Sequence, residues 1–136
     1  MFSIGQLSRR TGVKVPTIRY YEQMGLIDAP ERSEGNQRRY TNDGLSRLSF
    51  IRHCRALGFT IEDIKEFIEL SQHPEKPCVD AHSIAVQHLE AVRERIAKLQ
   101  RLEQELTRIS KCDAGNIAEC AVIETLADHG LCETEH

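Results

Sequence analysis

The stretch VPTIRYYE, residues 15–22, decides the fold of this 136-residue chain. Its proline falls in the first turn of a predicted helix, where a missing N–H is tolerated. Ile18 and Tyr21 recur at helical spacing and predict a buried face. Arg19 and Tyr20 then lie on the opposite face. The stretch therefore predicts a short amphipathic helix with a basic and aromatic outer side.

A second short helix is predicted immediately upstream. Ser3 is a suitable N-cap, Ile4 and Leu7 lie one turn apart, and Gly12 ends the pattern. Two short helices joined by a tight turn are typical of a helix-turn-helix. Two amphipathic helices of an unrelated bundle remain an alternative at this point.

A short basic segment downstream predicts a two-stranded wing. Residues 34–36, Glu-Gly-Asn, have turn chemistry, and their flanks are short and basic. Arg38, Arg39 and Tyr40 are then candidates for contacts with DNA phosphates. The alternative is a solvated, charge-rich loop. The position of this segment after a helix-turn-helix favours the wing.

The charge of the chain is divided between its two halves. The net charge is −3, which alone argues against a nucleic-acid partner. Residues 1–58, however, contain ten lysines and arginines against five acidic residues, whereas residues 59–136 contain eight against sixteen. Only the N-terminal part has the positive charge that phosphate contacts need.

Composition also indicates where in the cell the protein acts and which class of protein it is. The chain has no apolar run of membrane-spanning length and no signal-peptide pattern, so we expect a cytoplasmic protein with no membrane partner. Five cysteines in a reducing compartment favour metal binding or redox sensing over disulfides. The absence of a C-x-x-C pair and of a catalytic dyad argues against an enzyme such as a thiol oxidoreductase.

The rest of the chain is predicted to be helical. One helix begins at Thr41 and ends at Gly58, and a capping box at Thr60 opens another. The apolar face predicted for the first of these helices consists of Leu45, Leu48, Phe50, Ile51 and Leu57. We predict a winged helix-turn-helix DNA-binding domain over residues 1–70 and a linker over 71–80.

A long helix over residues 81–110 is predicted to mediate dimerisation. Its apolar residues alternate in steps of four and three, the spacing of a coiled-coil seam: Ala85, Leu89, Val92, Ile96 and Leu99. A helix with one narrow apolar stripe is not stable alone, so we expect a homodimer. Residues 111–136 are predicted to form a metal-binding loop, a short helix and a tail.

Three cysteines flank the long helix. Cys78 precedes it, and Cys112 and Cys120 close a short loop after it. A helix of 30 residues spans about 45 Å, so the three thiols cannot meet along it within one subunit. Antiparallel pairing of two such helices would bring Cys78 of one chain to the loop of the other. The layout predicts a metal or redox site at a dimer interface.

The chain closely resembles the MerR family of bacterial transcription regulators. The resemblance runs from residue 2 to about residue 126, and its motifs are IGQL at 4–7, TIRYYE at 17–22, GL at 25–26, Arg32, GNQRRY at 35–40 and LSFIR at 48–52. It implies a mainly α dimer joined by an antiparallel coiled coil. Each winged helix-turn-helix would contact one half-site of double-stranded promoter DNA, and distortion of that DNA would realign the promoter for RNA polymerase.

The resemblance also implies roles for individual residues. Residues of the second helix should lie in or beside the major groove: Lys14, Val15, Thr17, Arg19 and Tyr20. Arg38, Arg39 and Tyr40 should hold phosphates from the wing.

Within that family, the cysteines point to a metal effector. An iron–sulfur sensor needs four clustered thiolates, and only Cys112, Cys120 and Cys132 follow the long helix. Drug-binding members carry an additional domain, for which no residues remain. Members that respond to divalent ions have a cysteine at the position of Cys78, whereas copper(I)-responsive members have a serine there.

We therefore expect Cys78, Cys112 and Cys120 to bind Cd²⁺, Pb²⁺, Zn²⁺ or Hg²⁺ as effector. Three thiolates on a divalent ion leave the same net charge as two on a monovalent ion. A copper(I)-responsive regulator that uses only Cys112 and Cys120 is the alternative. Whether His129, Cys132 and His136 form a second, weaker metal site stays open at this stage.

Overall fold

A computed structural model of the chain describes residues 1–28, 31, 32, 35 and 38–133. It divides the chain into two compact units, Met1–Ala81 and His82–His136. The elements in chain order are α1 (Ile4–Thr11), α2 (Val15–Gln23), β1 (Glu31–Arg32), β2 (Arg38–Arg39), α3 (Asn42–Ala56), α4 (Ile61–Ser71), α5 (Val79–Ser110) and α6 (Ala121–Ala127). Short 3₁₀ turns cover Ile117–Glu119 and His129–Leu131. The predicted mainly α fold is confirmed.

The helix-turn-helix is formed by α1 and α2. Ser3 caps α1, as the sequence predicted, and its two hydrogen bonds with Gln6 complete a capping box that was not predicted. Gly12 ends α1 with φ of +75°, a conformation that favours glycine. The Arg52 guanidinium of α3 donates a hydrogen bond to the carbonyl of Thr11, which ties the turn to the rest of the unit.

The wing consists of β1 and β2, which pair antiparallel with Glu31 opposite Arg39 and Arg32 opposite Arg38. The predicted turn residues Glu34 and Asn36 lie outside the described residues. A further bridge joins Phe2 to Tyr40, with N–H to carbonyl distances of 2.7 Å in both directions. The base of the wing is thereby attached to the start of the chain.

The core of the first unit is apolar and draws on every helix from α1 to α4. Its fully buried large side chains are Leu7, Ile18, Leu26, Leu48, Ile51 and Ile64. Within α3 the buried face differs from the prediction, since Cys54 is buried at 8% exposure, whereas Phe50 is 41% and Leu57 58% exposed. Leu48, Ile51 and Cys54 are spaced three residues apart, so they lie on the same side of α3, whereas Leu57 is the C-cap that follows the last helical residue.

Thr60 caps α4 by the predicted capping box, in which Asp63 donates its backbone N–H to the Thr60 hydroxyl at 3.1 Å. Phe59 and Phe67 pack edge to face with ring centroids 5.0 Å apart. These contacts fix the start of α4 against the preceding loop.

The second unit is dominated by α5, a continuous helix of 32 residues. Several residues of its apolar stripe are exposed in the single chain, including Leu89 at 45%, Ile96 at 49% and Leu99 at 63%. Near its end, Ile109 is buried, as is Thr125 of α6. Among the described residues, no helix is long and apolar enough to cross a bilayer.

Candidate metal centre and nucleic-acid interface

Cys112 and Cys120 are brought together at the end of α5. Cys112 follows the last residue of α5 by two positions, and Cys120 directly precedes α6. The backbone N–H of Ala121 donates a hydrogen bond to the Cys112 sulfur at 3.2 Å, and the Cys120 side chain is near enough to help lower the pKa of Cys112. Both cysteines are half-buried, and neither forms a disulfide. The loop thus holds two thiols at one place, and sulfur is a donor that could hold a soft metal ion.

The environment of Cys112 favours its thiolate. Backbone N–H groups of Ala114 and Ala121 are the main reason that the pKa of Cys112 lies below its ordinary value. The Cys120 thiol and the Val122 N–H act in the same direction, and burial opposes them. Because a thiolate is the form that ligates metals, this arrangement prepares Cys112 as a ligand.

The loop itself is held by local hydrogen bonds. The Asn116 side chain accepts from the Glu119 N–H at 3.0 Å and caps the 3₁₀ turn before Cys120. The Cys120 N–H donates to the Ile117 carbonyl at 3.1 Å. These bonds set the path by which the loop returns Cys120 toward Cys112.

Cys78 lies in the first unit and is exposed, directly before the first residue of α5. It lines a mainly apolar groove of about 480 Å³ that also contains Cys54, His53 and His73. Cys54 differs from Cys112, since burial raises the pKa of its thiol. Within the described part of one chain, no three His, Cys, Asp or Glu side chains converge as a metal site.

The residues suggested for a second metal site are only partly described. Cys132 is half-buried, and its N–H donates to the His129 carbonyl at 3.1 Å. His136 lies outside the described residues.

The predicted DNA-contacting residues of α2 lie on its accessible side. Lys14 is the N-cap, and Val15 begins the helix. Lys14 and Arg19 are exposed, Tyr20 is 47% exposed, and Val15 and Thr17 are half-buried. The opposite face is buried through Ile18 and Tyr21. The helix can therefore offer basic and aromatic groups to a partner without disturbing the core.

The wing residues differ in how accessible their side chains are. Arg38 and Arg39 form β2, and the Arg39 side chain is partly accessible, whereas that of Arg38 lies outside the described part. Tyr40 is only 2% exposed, and its hydroxyl donates to the Glu22 carboxylate. The prediction that Tyr40 holds a phosphate is corrected on this ground: its side chain joins the base of the wing to α2.

Glu105 and Arg108, near the end of α5, form contacts that no sequence pattern singled out. Arg108 forms an ion pair with Glu105, at 3.0 Å between Nη2 and Oε2. Its Nη2 also donates to the Leu131 carbonyl at 3.1 Å, beyond α6. Glutamate and arginine three residues apart occur on many solvated helices. The burial of Glu105, at 6% exposure, is what distinguishes this ion pair from a solvated one.

Comparison with protein families gives two overlapping matches. Residues 2–70 match the family described as MerR HTH family regulatory protein. Residues 45–109 match the family described as MerR, DNA binding. Together the two matches extend from the helix-turn-helix almost to the end of α5.

Individual relatives share most of the length of the chain. The chain is 37% identical over 127 residues to the mercuric resistance operon regulatory protein of Bacillus cereus, covering 92% of this chain and 96% of the relative. It is also 37% identical over 130 residues to the HTH-type transcriptional regulator ZntR of Escherichia coli K12, covering 93% and 92%.

Solved structures show the same architecture. The transcription regulator PbrR691 from Ralstonia metallidurans CH34 in complex with lead(II) has a TM-score of 0.79 and 38% identity, over 93% of this chain and 99% of that chain. HiNmlR, a MerR family regulator lacking the sensor domain and bound to promoter DNA, has a TM-score of 0.60 and 25% identity, over 79% and 82%. The chain belongs to the MerR family of helix-turn-helix regulatory proteins, which are DNA-binding proteins and not enzymes.

Proposed function

We propose that this protein is a homodimeric transcriptional activator that binds promoter DNA and responds to a divalent soft metal ion, Cd²⁺, Pb²⁺, Zn²⁺ or Hg²⁺. The protein would act in the cytoplasm, and its target would be a metal efflux or detoxification gene. The relatives support a metal effector, since one regulates a mercuric resistance operon and another is solved in complex with lead(II).

The observation that carries the proposal is the pairing of Cys112 with Cys120. Their loop holds two sulfurs together, and backbone N–H groups stabilise negative charge on one of them. Thiolate sulfur is a ligand for soft metal ions, and neither cysteine is spent on a disulfide. A bound ion would neutralise part of the charge of the two thiolates and link the loop into one unit.

Cys78 is the proposed third ligand and would come from the second subunit. It stands before α5, whereas the loop follows α5, a helix of 32 residues, about 48 Å long at ~1.5 Å per residue. The exposed apolar stripe of α5 is the proposed dimer surface. Antiparallel pairing of two α5 helices would bring each Cys78 toward the loop of the other chain.

The proposed DNA contacts are Lys14, Val15, Thr17, Arg19 and Tyr20 on α2 and Arg38 and Arg39 on the wing. The first five lie on the accessible side of α2. The hydrogen bond from Tyr40 to Glu22 joins the wing to α2. A movement of the wing would therefore be transmitted to α2. Bending a 20–30 bp site costs about 1–6 kcal/mol, which these contacts must offset for the metal-bound dimer to distort a promoter.

In vitro transcription with RNA polymerase and operator footprinting test this proposal. Each of Zn²⁺, Cd²⁺, Pb²⁺, Hg²⁺ and Cu⁺ is added to the wild type and to Cys78→Ser. We expect divalent ions to activate the wild type and to lose effect in Cys78→Ser. Cys54→Ala is the matched control, because Cys54 lines the same groove as Cys78 but is buried.

The copper(I) alternative makes a different prediction in the same experiment. Two thiolates suffice for a monovalent ion, so Cu⁺ would activate the wild type and Cys78→Ser equally, and the divalent assignment would be rejected. If no metal changes the footprint or the transcript level, the proposed sensing function itself fails.

A further inference from the structure

The short helix α6 is held to the end of α5 at two points. At its start, the Ala121 N–H donates to the Cys112 sulfur at 3.2 Å. Beyond its end, the Leu131 carbonyl accepts from Arg108 Nη2 at 3.1 Å. Between these points Thr125 is 7% exposed. Since α6 has only seven residues, fewer than the ~12–15 that an isolated helix needs, such contacts must decide its position.

The second of these attachments depends on a buried carboxylate. Arg108 donates to Glu105 from both Nε and Nη2, at 3.3 and 3.0 Å. Glu105 is 6% exposed, so its charge requires a partner in place. The guanidinium is thereby fixed in orientation, and it also lies 3.9 Å from the Glu133 carboxylate.

The residues of this arrangement share one face of α5. Glu105 and Arg108 are separated by about one turn, and Ile109 follows Glu105 by four positions. One face of α5 therefore carries the ion pair and the buried Ile109. Cys112 lies two residues beyond the end of α5, and its N–H donates to the Ile109 carbonyl at 3.3 Å.

From this geometry we propose that Arg108, oriented by Glu105, is a positioning residue for the two-cysteine loop. By anchoring the segment after α6, it keeps the first residue of α6 on the Cys112 sulfur and fixes the spacing of Cys112 and Cys120. Arg108 does not touch the metal ion and acts through α6. This inference rests on the proposed metal-sensing function for its biological meaning, but the positioning of α6 can be tested without metal.

The first experiment measures amide hydrogen exchange of Ala121 in the metal-free, full-length protein. In Arg108→Ala we expect the Ala121 amide to exchange about tenfold faster or more, whereas amides in the middle of α5 keep their wild-type rates. Arg108→Lys should restore part of the protection, because lysine can still reach one acceptor. Arg95→Ala is the matched control, an exposed arginine on the same helix.

The second experiment measures Cd²⁺ affinity by chelator competition, followed by the thiolate-to-metal charge-transfer absorbance. Supporting residues around metal ligands typically change affinity by about 10- to 100-fold, and we expect a loss of that size in Arg108→Ala with partial rescue in Arg108→Lys. Glu105→Gln should weaken Cd²⁺ binding in the same direction. Binding of the metal-free protein to operator DNA should stay at the wild-type level, which a general loss of structure would not allow.

The outcomes separate the two proposals. Unchanged Ala121 exchange in Arg108→Ala overturns the positioning role. Faster exchange with unchanged Cd²⁺ affinity shows that α6 is anchored by Arg108 but overturns its role at the metal loop. If the wild type gives no charge-transfer band with any of the four divalent ions, the proposed function fails, and the exchange rates still decide whether Arg108 positions α6.

Discussion

Replacing Gly12 by alanine should destabilise the protein more than replacing Gly25, although both glycines have φ of +75°. An L side chain in this left-handed region costs about 1–2 kcal/mol. A Cβ at Gly25 would meet nothing within 4 Å. A Cβ at Gly12 would lie 2.8 Å from Nη1 and 2.9 Å from Cζ of Arg52. The difference between the two variants therefore isolates the contact with Arg52.

The size of the effect follows from what Arg52 loses. Its guanidinium can swing away from an added Cβ, but it then gives up its hydrogen bond to the Thr11 carbonyl. A hydrogen bond from a charged group contributes about 1.5–3 kcal/mol. We expect Gly25→Ala to lower the free energy of unfolding by about 1–2 kcal/mol and Gly12→Ala by about 2.5–5 kcal/mol.

Urea denaturation followed by circular dichroism measures these losses, at one fixed protomer concentration because a dimer's stability depends on it. In an Arg52→Ala background the contact is absent, so Gly12→Ala should then cost only about 1–2 kcal/mol. The reasoning is refuted if Gly12→Ala costs no more than Gly25→Ala. It is also refuted if the Arg52→Ala background leaves the cost of Gly12→Ala unchanged.

Three further predictions concern DNA, the wing and the thiols. Arg19→Ala should weaken operator binding tenfold or more in gel-shift titrations at fixed salt, a loss of about 1–3 kcal/mol, and unchanged affinity would remove Arg19 from the interface. Tyr40→Phe removes the hydroxyl that donates to the Glu22 carboxylate and should lower the free energy of unfolding by about 1.5–3 kcal/mol, so an unshifted urea midpoint would contradict it. Iodoacetamide should alkylate Cys112 at lower pH than Cys54, because hydrogen bonds lower the pKa of Cys112 and burial raises that of Cys54. Peptide mass spectrometry after alkylation at a series of pH values measures the order. Alkylation of Cys54 at lower pH than Cys112 would contradict these pKa directions. The stabilisation linked to the Cys112 thiolate should be present above the ordinary thiol pKa and be lost as pH falls through the lowered one.

Local chemistry made much of the fold predictable. Ser3 and Thr60 cap their helices as predicted, and Thr60 forms the predicted capping box with Asp63. Such signals lie within one turn of helix and do not depend on the tertiary structure. The burial of Tyr40 was not predictable in this way, because a tyrosine in a basic segment fits a phosphate contact as well as a core position.

The candidate site, too, could be predicted from the sequence only in part. The cysteines were recognisable from residue type and spacing, whereas the backbone donors around Cys112 depend on how α6 returns to α5. The role of Arg108 depends on a hydrogen bond to Leu131, 23 residues away along the chain. Contacts of that separation are set by packing and leave no periodic trace in the sequence.

The contrast between Cys54 and Cys112 bears on which thiol suits the proposed metal site. A metal ion competes with the proton for a thiol, so a site that stabilises the thiolate keeps its affinity at lower pH. At Cys112, backbone N–H groups stabilise the thiolate. At Cys54, burial among apolar core residues raises the pKa and so favours the protonated thiol, although a backbone hydrogen bond acts in the opposite direction. The placement of N–H donors around each sulfur therefore discriminates between these two thiols, and the geometry that α6 imposes on Cys112 matters as much as the presence of the cysteine.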